Sequence, residues 1–334
     1  MQPVKWGVIS TAKIGTVQVL PAMANGKGIE LAAIASRNQS TADEAASALG
    51  IPKAYGSYEA LLEDPDIEAI YNPLPNHLHV PWTVKAMEAG KHVLCEKPIA
   101  LNAAEAETLL EVRDRTGKMV EEAFMVRHAP QWLRVVELVR AGRIGELRAI
   151  QGVFSYFNDD PENIRNMVDI GGGGIYDIGC YPITTSRLVV GAEPTRVVSL
   201  IQRDPAMKTD RLASALMEFP GGIQANWVCS TQLVPYQRMH FMGTTGRIEI
   251  EIPFNAPNDM PCRIFIDDGG DKRGGSVVVE EIPTVDQYTL QGEMFSKAIR
   301  GGGEQVVPLE NSIANMRVID AMFASEKSGG WVDI

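Results

Sequence analysis

Over roughly the first 122 residues, short apolar runs rich in β-branched residues alternate with helical patterns, and few folds accommodate that alternation. Val4 to Ile9 reads as a strand, Val17 to Ala24 as a helix and Glu30 to Ala35 as the next strand. Helical segments follow at Thr41 to Leu49 and Tyr58 to Glu63, then a strand at Glu68 to Tyr71 and a helix at His77 to Ala89. The strand His92 to Cys95, the helix Ala103 to Arg115 and the strand Lys118 to Glu122 complete the series. Continuously apolar strands are buried on both faces, and strands joined through helices run parallel. The pattern predicts an α/β fold whose residues 1–124 form a doubly wound parallel sheet of the Rossmann type, the nucleotide-binding domain.

Ligands of such sheets bind outside the carboxyl ends of the strands, so the loops that land there carry the candidate site. The first, Ser10-Thr11-Ala12-Lys13-Ile14-Gly15, is a degenerate dinucleotide turn with Ser10 and Ala12 where two glycines would stand and Gly15 kept. Small residues still admit a pyrophosphate to the backbone, and the following helix offers amides and a positive dipole end. After the second strand, Ser36-Arg37-Asn38 offers a hydroxyl and a guanidinium in place of the acid that binds a ribose 2′-hydroxyl. A guanidinium suits a 2′-phosphate, so the sequence leans to NADP over NAD. The loop Tyr71 to Asn76 falls on the same rim, which makes Asn72, Pro73, Leu74, Asn76 and His79 further cofactor-side candidates. Glu96-Lys97-Pro98 ends the strand His92 to Cys95; Pro98 restricts Lys97 to extended geometry and aims its ammonium at the rim.

From about residue 125 the pattern changes. Pro130 to Arg140 reads as a helix, and Leu147 to Phe157 as a long strand with Gln151, Val153, Ser155 and Phe157 on one face. Strand-like runs follow at Thr195 to Arg203, Leu212 to Phe219, Ile223 to Ser230, Gln237 to Met242, Arg247 to Ile252, Arg263 to Asp267 and Ser276 to Ile282. Tyr288 to Arg300 and Asn311 to Glu326 read as closing helices. Residues 125–334 are therefore expected to form a second α/β domain for substrate binding and oligomerisation, built on a large, mostly antiparallel open sheet. Helices would cover one face, leaving the other to pair in a homodimer or homotetramer. Within it, Gly171-Gly172-Gly173-Gly174 precedes Asp177 and Tyr181, whose four-residue spacing puts a carboxylate and a phenol on one helix face.

Composition narrows the classes of partner. A net charge of −11 over 334 residues disfavours nucleic acid and anionic membrane surfaces. No stretch approaches the roughly 20 apolar residues of a membrane span, and the first residues lack a signal peptide's layout, so a cytoplasmic location is expected. Cys95, Cys180, Cys229 and Cys262 are too widely spaced for a zinc knuckle or a disulfide framework, and His77 with His79 reads as a helix start, so no metal is expected.

The turn ending in Ile14-Gly15, the run Ala89-Gly90-Lys91-His92-Val93-Leu94-Cys95-Glu96-Lys97-Pro98 and the Gly-rich segment from Asp177 to Tyr181 together strongly resemble the glucose-fructose oxidoreductase / inositol dehydrogenase (Gfo/Idh/MocA) family. Gln237-Arg238, Gly243 to Ile250 and Pro253-Phe254-Asn255-Ala256-Pro257 extend the resemblance over nearly the whole chain. It implies a nicotinamide cofactor between a Rossmann domain and an open-sheet domain, and Lys97 as a catalytic-site lysine whose peptide to proline is often cis. Tyr181, where inositol-type members carry histidine, resembles the branch of aldose dehydrogenases, glucose-fructose oxidoreductase and dimeric dihydrodiol dehydrogenase. Asn163-Ile164-Arg165 with Cys180-Tyr181-Pro182 is most similar to NADP-dependent D-xylose dehydrogenases.

The expected reaction is hydride transfer between NADP(H) and a sugar, such as an aldose like D-xylose, or a related cyclic alcohol. Tyr181 would take the hydroxyl proton, with the Lys97 ammonium lowering a phenol pKa that is otherwise near ~10. Asp177 would hold a substrate hydroxyl or orient Lys97, with Asn163 and Arg165 as substrate-side donors. Two alternatives compete: an NADPH-dependent reductase of a keto-sugar or dicarbonyl sugar, and a nucleotide-binding sensor without chemistry. Retention of both Lys97 and Tyr181 favours the enzyme, since a sensor needs neither.

Overall fold

The computed structural model describes residues 2–334. Their contacts divide the chain into two units, one holding the chain through Met125 together with Asp286–Ile313, the other Val126–Val285 together with Ala314–Ile334.

In the first unit, β1 (Val4–Ile9), β2 (Ile29–Ala35), β3 (Lys53–Tyr55), β4 (Ala69–Asn72), β5 (His92–Cys95) and β6 (Val120–Glu122) form one sheet. Its order is β3-β2-β1-β4-β5-β6 and every pair is parallel. The chain winds outward from β1 to β3, crosses back to β4 and winds the other way, so the switch point lies between β1 and β4. A π-helical turn, Gly15–Val19, runs into α1 (Leu20–Met23); α2 (Gln39–Leu49), α3 (Tyr58–Leu62), α4 (His79–Glu88) and α5 (Ala103–Thr116) follow. Side chains of Asn38, Ser57 and Asn102 accept backbone N–H groups at the starts of α2, α3 and α5. The sequence reading lacks β3, because Lys53-Ala54-Tyr55 is a short, half-buried edge strand without an apolar run.

The first unit also takes residues that a contiguous boundary at 124/125 leaves to the second. In α8 (Gln287–Ile299), Phe295 packs on the Trp6 ring at 5.9 Å, and Ser296 Oγ accepts from Trp6 Nε1 at 3.1 Å. Thr289 Oγ1 donates to Ala22 O at 2.8 Å, and Arg300 just beyond the helix forks onto Glu68 with both contacts at 2.7 Å. An amphipathic pattern tells that α8 buries one face without telling which core receives it.

The second unit is built on a sheet of β7 (Leu147–Phe157), β8 (Arg196–Arg203), β9 (Asp210–Phe219), β10 (Ile223–Ser230), β11 (Gln232–Gly243), β12 (Arg247–Ile250), β13 (Cys262–Asp267), β14 (Val278–Ile282) and β15 (Val332–Asp333). The order is β14-β13-β12-β11-β7-β10-β9-β8-β15, with β7 and β10 parallel and the remaining pairs antiparallel. Ile150, Phe154, Met217, Trp227, Met239 and Phe241 are buried on the face that receives α6 (Pro130–Arg140) and α7 (Cys180–Val190). Trp132 of α6 packs on Phe241 at 6.0 Å, and Ser325 of α9 (Leu309–Ser328) accepts from the Ser199 amide of β8 at 2.9 Å. Alternate residues, including Gln151, Val153, Leu216 and Val228, form the other face and remain at least partly exposed; Leu200 of β8 is 78% exposed.

Candidate active site

Where β1 ends, Ser10 adopts a φ of 120°, a backbone region that favours glycine. This is the place of the first glycine of a dinucleotide turn, and serine there carries on the order of 1–3 kcal/mol of strain. Two bonds hold it: Ser10 N donates to Ala35 O at 3.0 Å, and Ser10 Oγ accepts from Ala12 N at 3.0 Å. Thr11 and Ala12 are half-buried, Lys13 is exposed and Ile14 leans on the core. Beyond β2, Ser36 is buried, Arg37 is exposed and Asn38 is spent on capping α2. The Tyr58 phenol lies beside the side chains of Ser10 and Arg37; burial pushes its pKa up and the guanidinium opposes that. Tyr58 thus joins the rim, although its place in the sequence marked only a helix start.

The loops after β4 and β5 are braced from behind. The Asn72 amide, fully buried, donates to His79 O at 3.2 Å, Thr83 Oγ1 at 3.3 Å and Cys95 Sγ at 3.6 Å, while its Oδ1 accepts from Leu74 N at 3.3 Å. His79 is 1% exposed, with Nδ1 2.7 Å from Pro98 O and Nε2 2.7 Å from Leu74 O. Burial lowers its pKa to about 4, against the two carbonyl contacts, which favour the protonated ring. Asn72 and His79 therefore support the rim with their side chains instead of presenting them on it. Pro73 and Leu74 are buried and Asn76 is half-buried.

At the end of β5, Glu96 accepts from Tyr71 Oη at 2.8 Å and from Lys97 N at 3.3 Å. Lys97 is half-exposed and its peptide to Pro98 is cis. Glu122 Oε1, from β6, accepts from Ile99 N at 2.8 Å. The backbone on both sides of Lys97 is thereby pinned to neighbouring strands.

In the second unit the glycine run is a steric requirement. A Cβ at Gly172 would lie 2.6 Å from Met167 O and 2.7 Å from Arg165 O, and Gly173 has a φ of 130°. From here a π-helical turn, Ile175–Gly179, runs into α7, so helical backbone starts at Ile175 and carries both Asp177 and Tyr181. Glycines and Pro182 hide that start, while the turn's backbone bonds supply it. Asp177 Oδ2 accepts from Tyr156 Oη at 2.6 Å, and Asp177 Oδ1 lies 3.1 Å from Arg165 Nε. Burial and then the Asp177 charge push the Tyr156 phenol far above its ordinary range, so it stays a donor. The Asp177 charge keeps Arg165 protonated against burial, and Tyr181 acts on Arg165 in the same direction. The Arg165 side chain remains 41% exposed. Asn163 Oδ1 accepts from Arg165 N at 3.1 Å and caps the turn that carries the arginine.

Tyr181 is 5% exposed, its ring set edge-on to Phe154 at 5.7 Å and tilted against Phe254 at 5.5 Å. Phe254 is held in turn, because the Phe254 and Asn255 amides donate to Gln237 Oε1 at 2.9 and 3.0 Å. Arg165, Asp177 and Tyr181 are thus one cluster, and Tyr156, Phe154 and Phe254 are the members that sequence reasoning missed. Strand alternation could have found two of them, since Phe154 and Tyr156 lie on the β7 face opposite Gln151 and Val153. A cation and a phenol fix a carboxylate able to receive hydroxyl groups, near a second phenol whose ring packs against Phe154 and Phe254.

Among the described residues there is no group of three or more His, Cys, Asp or Glu side chains able to hold a metal, and Cys95, Cys180, Cys229 and Cys262 are buried thiols. No helix is long and apolar enough to cross a membrane.

Comparison with known proteins supplies matches over the whole chain. A family model described as an oxidoreductase family with an NAD-binding Rossmann fold matches residues 4–124, and a GFO/IDH/MocA C-terminal domain matches residues 132–249. An uncharacterized oxidoreductase of Rhizobium meliloti is 47% identical over 331 residues, covering 99% of each chain. A D-xylose 1-dehydrogenase (NADP(+)) of Haloferax volcanii is 35% identical, covering 98% of this chain and 99% of its own. The crystal structure of a 3-ketoreductase from Actinomadura kijaniata, in complex with NADP and TDP-benzene, superposes with a TM-score of 0.91 at 30% identity, covering 97% of this chain and 98% of that one.

Proposed function

The chain belongs to the Gfo/Idh/MocA family of oxidoreductases, and on that premise we propose that it is an NADP-dependent dehydrogenase of a sugar, an aldose such as D-xylose or a related cyclic alcohol. The observation that carries the reading is the Arg165–Asp177–Tyr156 clamp beside Tyr181, a hydroxyl-receiving carboxylate next to a phenol. The cofactor reading draws on the first unit. Arg37 stands exposed where β2 ends, beside the Tyr58 phenol, and no acid stands between Ser36 and Asn38 to repel a 2′-phosphate. These residues fit NADP. Thr11 to Ile14 and the amides of the following turn would hold its pyrophosphate, and Ser36 and Arg37 its 2′-phosphate.

When bound, NADP supplies the hydride acceptor, and NADPH the donor for the reverse reaction. Tyr181 takes the proton of the substrate hydroxyl that becomes a carbonyl. An isolated phenol titrates near ~10, so cations favour its ionised form, a task assigned to Lys97 and Arg165. Asp177 accepts from a neighbouring hydroxyl and fixes which carbon faces the reaction, and Arg165 donates to the same sugar. Asn163 sets the Arg165 turn. Glu96 holds the Lys97 loop through Tyr71.

The test is absorbance of the reduced nicotinamide while the purified protein, with NADP or NAD, meets aldoses, inositols and trans-dihydrodiols. A sugar-dependent signal that prefers NADP is expected, together with its loss in Tyr181→Phe while NADPH binding persists. Retained turnover in that variant would remove the phenol from the mechanism. The similarity to a solved 3-ketoreductase favours a second reading, reduction of a keto-sugar with Tyr181 as the acid. Rates in both directions with one substrate pair separate the two. The partly exposed face of the second unit's sheet supports association into a homodimer or homotetramer, which light scattering measures, and we assign the protein to the cytoplasm.

A further inference from the structure

We infer that Asp210 is the positioning residue of the second unit's cluster: from the start of β9, its carboxylate holds the glycine turn that determines where Arg165, Asp177 and Tyr181 stand. The inference rests on the reading of Tyr181 as the group that exchanges the proton.

Asp210 is 2% exposed, and its Oδ2 accepts from Ile175 N, the first residue of the π-helical turn, at 2.6 Å. Its Oδ1 faces Gly173, where a Cβ would lie only 2.0 Å away. The same glycine ties the cluster together: Gly173 N donates to Arg165 O at 2.8 Å, and Gly173 O accepts from Asp177 N at 3.0 Å. The turn thus joins the arginine on one side to the carboxylate on the other, and Tyr181 lies one helical turn beyond Asp177. Consecutive glycines have the weakest intrinsic conformational preference of any sequence, so an outside group must select their conformation. A buried carboxylate at the start of a helical segment does so by taking an orphan N–H and meeting the positive end of the helix dipole.

The surroundings make the strength of that grip variable. Burial pushes the Asp210 carboxyl up to about 7, against the Ile175 hydrogen bond and the charge of Arg203 on β8; Glu326 on α9 adds to the rise. Arg203 is itself forked onto Glu326 at 2.8 and 2.6 Å, which leaves its charge partly neutralised. On β10, burial and then the Asp210 charge raise the Cys229 thiol, so that neighbour stays neutral. The ionised carboxylate is the stronger acceptor, and it is formed as pH rises through neutrality.

Asp210→Asn keeps the shape and one acceptor oxygen and removes the charge. The measurement is the ratio of wild-type to Asp210→Asn kcat across pH, in which pH effects that the two proteins share cancel. A ratio near one at about pH 6, rising to about tenfold above about pH 8 with NADPH affinity unchanged, is expected. A purely structural aspartate would lower the melting temperature and leave the ratio flat, and a flat ratio overturns the inference. Should the variant not fold, the wild-type protein labelled with 15N-isoleucine gives the answer directly. The Ile175 amide resonance should titrate with an inflection near neutrality, and an unmoving resonance overturns the inference equally. The parent reading fails by different signs: a wild-type protein inert toward sugars, or a Tyr181→Phe variant that still turns over.

Discussion

Arg37→Ala should convert a protein that prefers NADP into one that barely distinguishes it from NAD. The guanidinium is exposed at the end of β2, flanked in sequence by Ser36 and Asn38, and the Tyr58 phenol lies beside it. A guanidinium–phosphate fork supplies two charge-assisted hydrogen bonds, each worth about 1.5–3 kcal/mol where water is excluded. Exposure allows water and salt to screen the pair, so the fork as a whole is placed at about 2–3 kcal/mol. That corresponds to a roughly 30- to 150-fold loss of NADPH affinity in the variant, with NADH affinity changed less than about threefold. Titrating the protein's fluorescence with each reduced cofactor, at low and at high salt, measures both numbers. The wild-type NADPH affinity should fall with salt more steeply than the variant's. Equal losses for NADPH and NADH would refute the reasoning, because they would mean that Arg37 acts by holding Tyr58 and Ser10 instead of by pairing with a phosphate.

Tyr156→Phe removes the 2.6 Å donor from Asp177, and the sugar KM should rise about tenfold while NADPH binding is unaltered; unchanged steady-state kinetics would exclude Tyr156 from the site. Phe295→Ala empties a fully buried place against Trp6 and should destabilise the first unit by about 3–4 kcal/mol in urea unfolding, so a loss under about 1 kcal/mol would contradict the packing of α8 on that sheet. Burial pushes the Asp64 carboxyl up, but hydrogen bonds from Lys53, the Asp66 amide and Tyr55 outweigh it and hold the group at about 2. A depressed folded-state pKa contributes stability that is full above about pH 5 and lost as pH falls toward 2. Asp64→Asn should therefore cost on the order of 1–2 kcal/mol at neutral pH after screening at Lys53, and close to nothing near pH 2. A cost independent of pH would show that the charge is not what Asp64 contributes.

Sequence alone determined the elements whose burial is continuous or whose ends carry local signals. β1, β5, α6 and β7 have the bounds their apolar runs predict, and the parallel sheet follows from alternation, because a strand buried on both faces needs helices on each side. The candidate residues could be singled out too, since Arg37, Lys97, Asp177 and Tyr181 stand in or near turns marked by glycine, proline or small residues. Tertiary structure decided what those residues touch. That Ser10 takes a glycine's backbone, that His79 and Asn72 face inward, and that Tyr156 reaches Asp177 depend on neighbours distant in the chain. It also decided that residues 286–313 belong with the first unit and that Asp210 grips the glycine turn. The physical reason is that periodicity records which face of an element is buried, and turn residues record where the backbone bends. The partner of a buried polar atom is fixed only when the packed chain excludes water and leaves that atom one neighbour to bond.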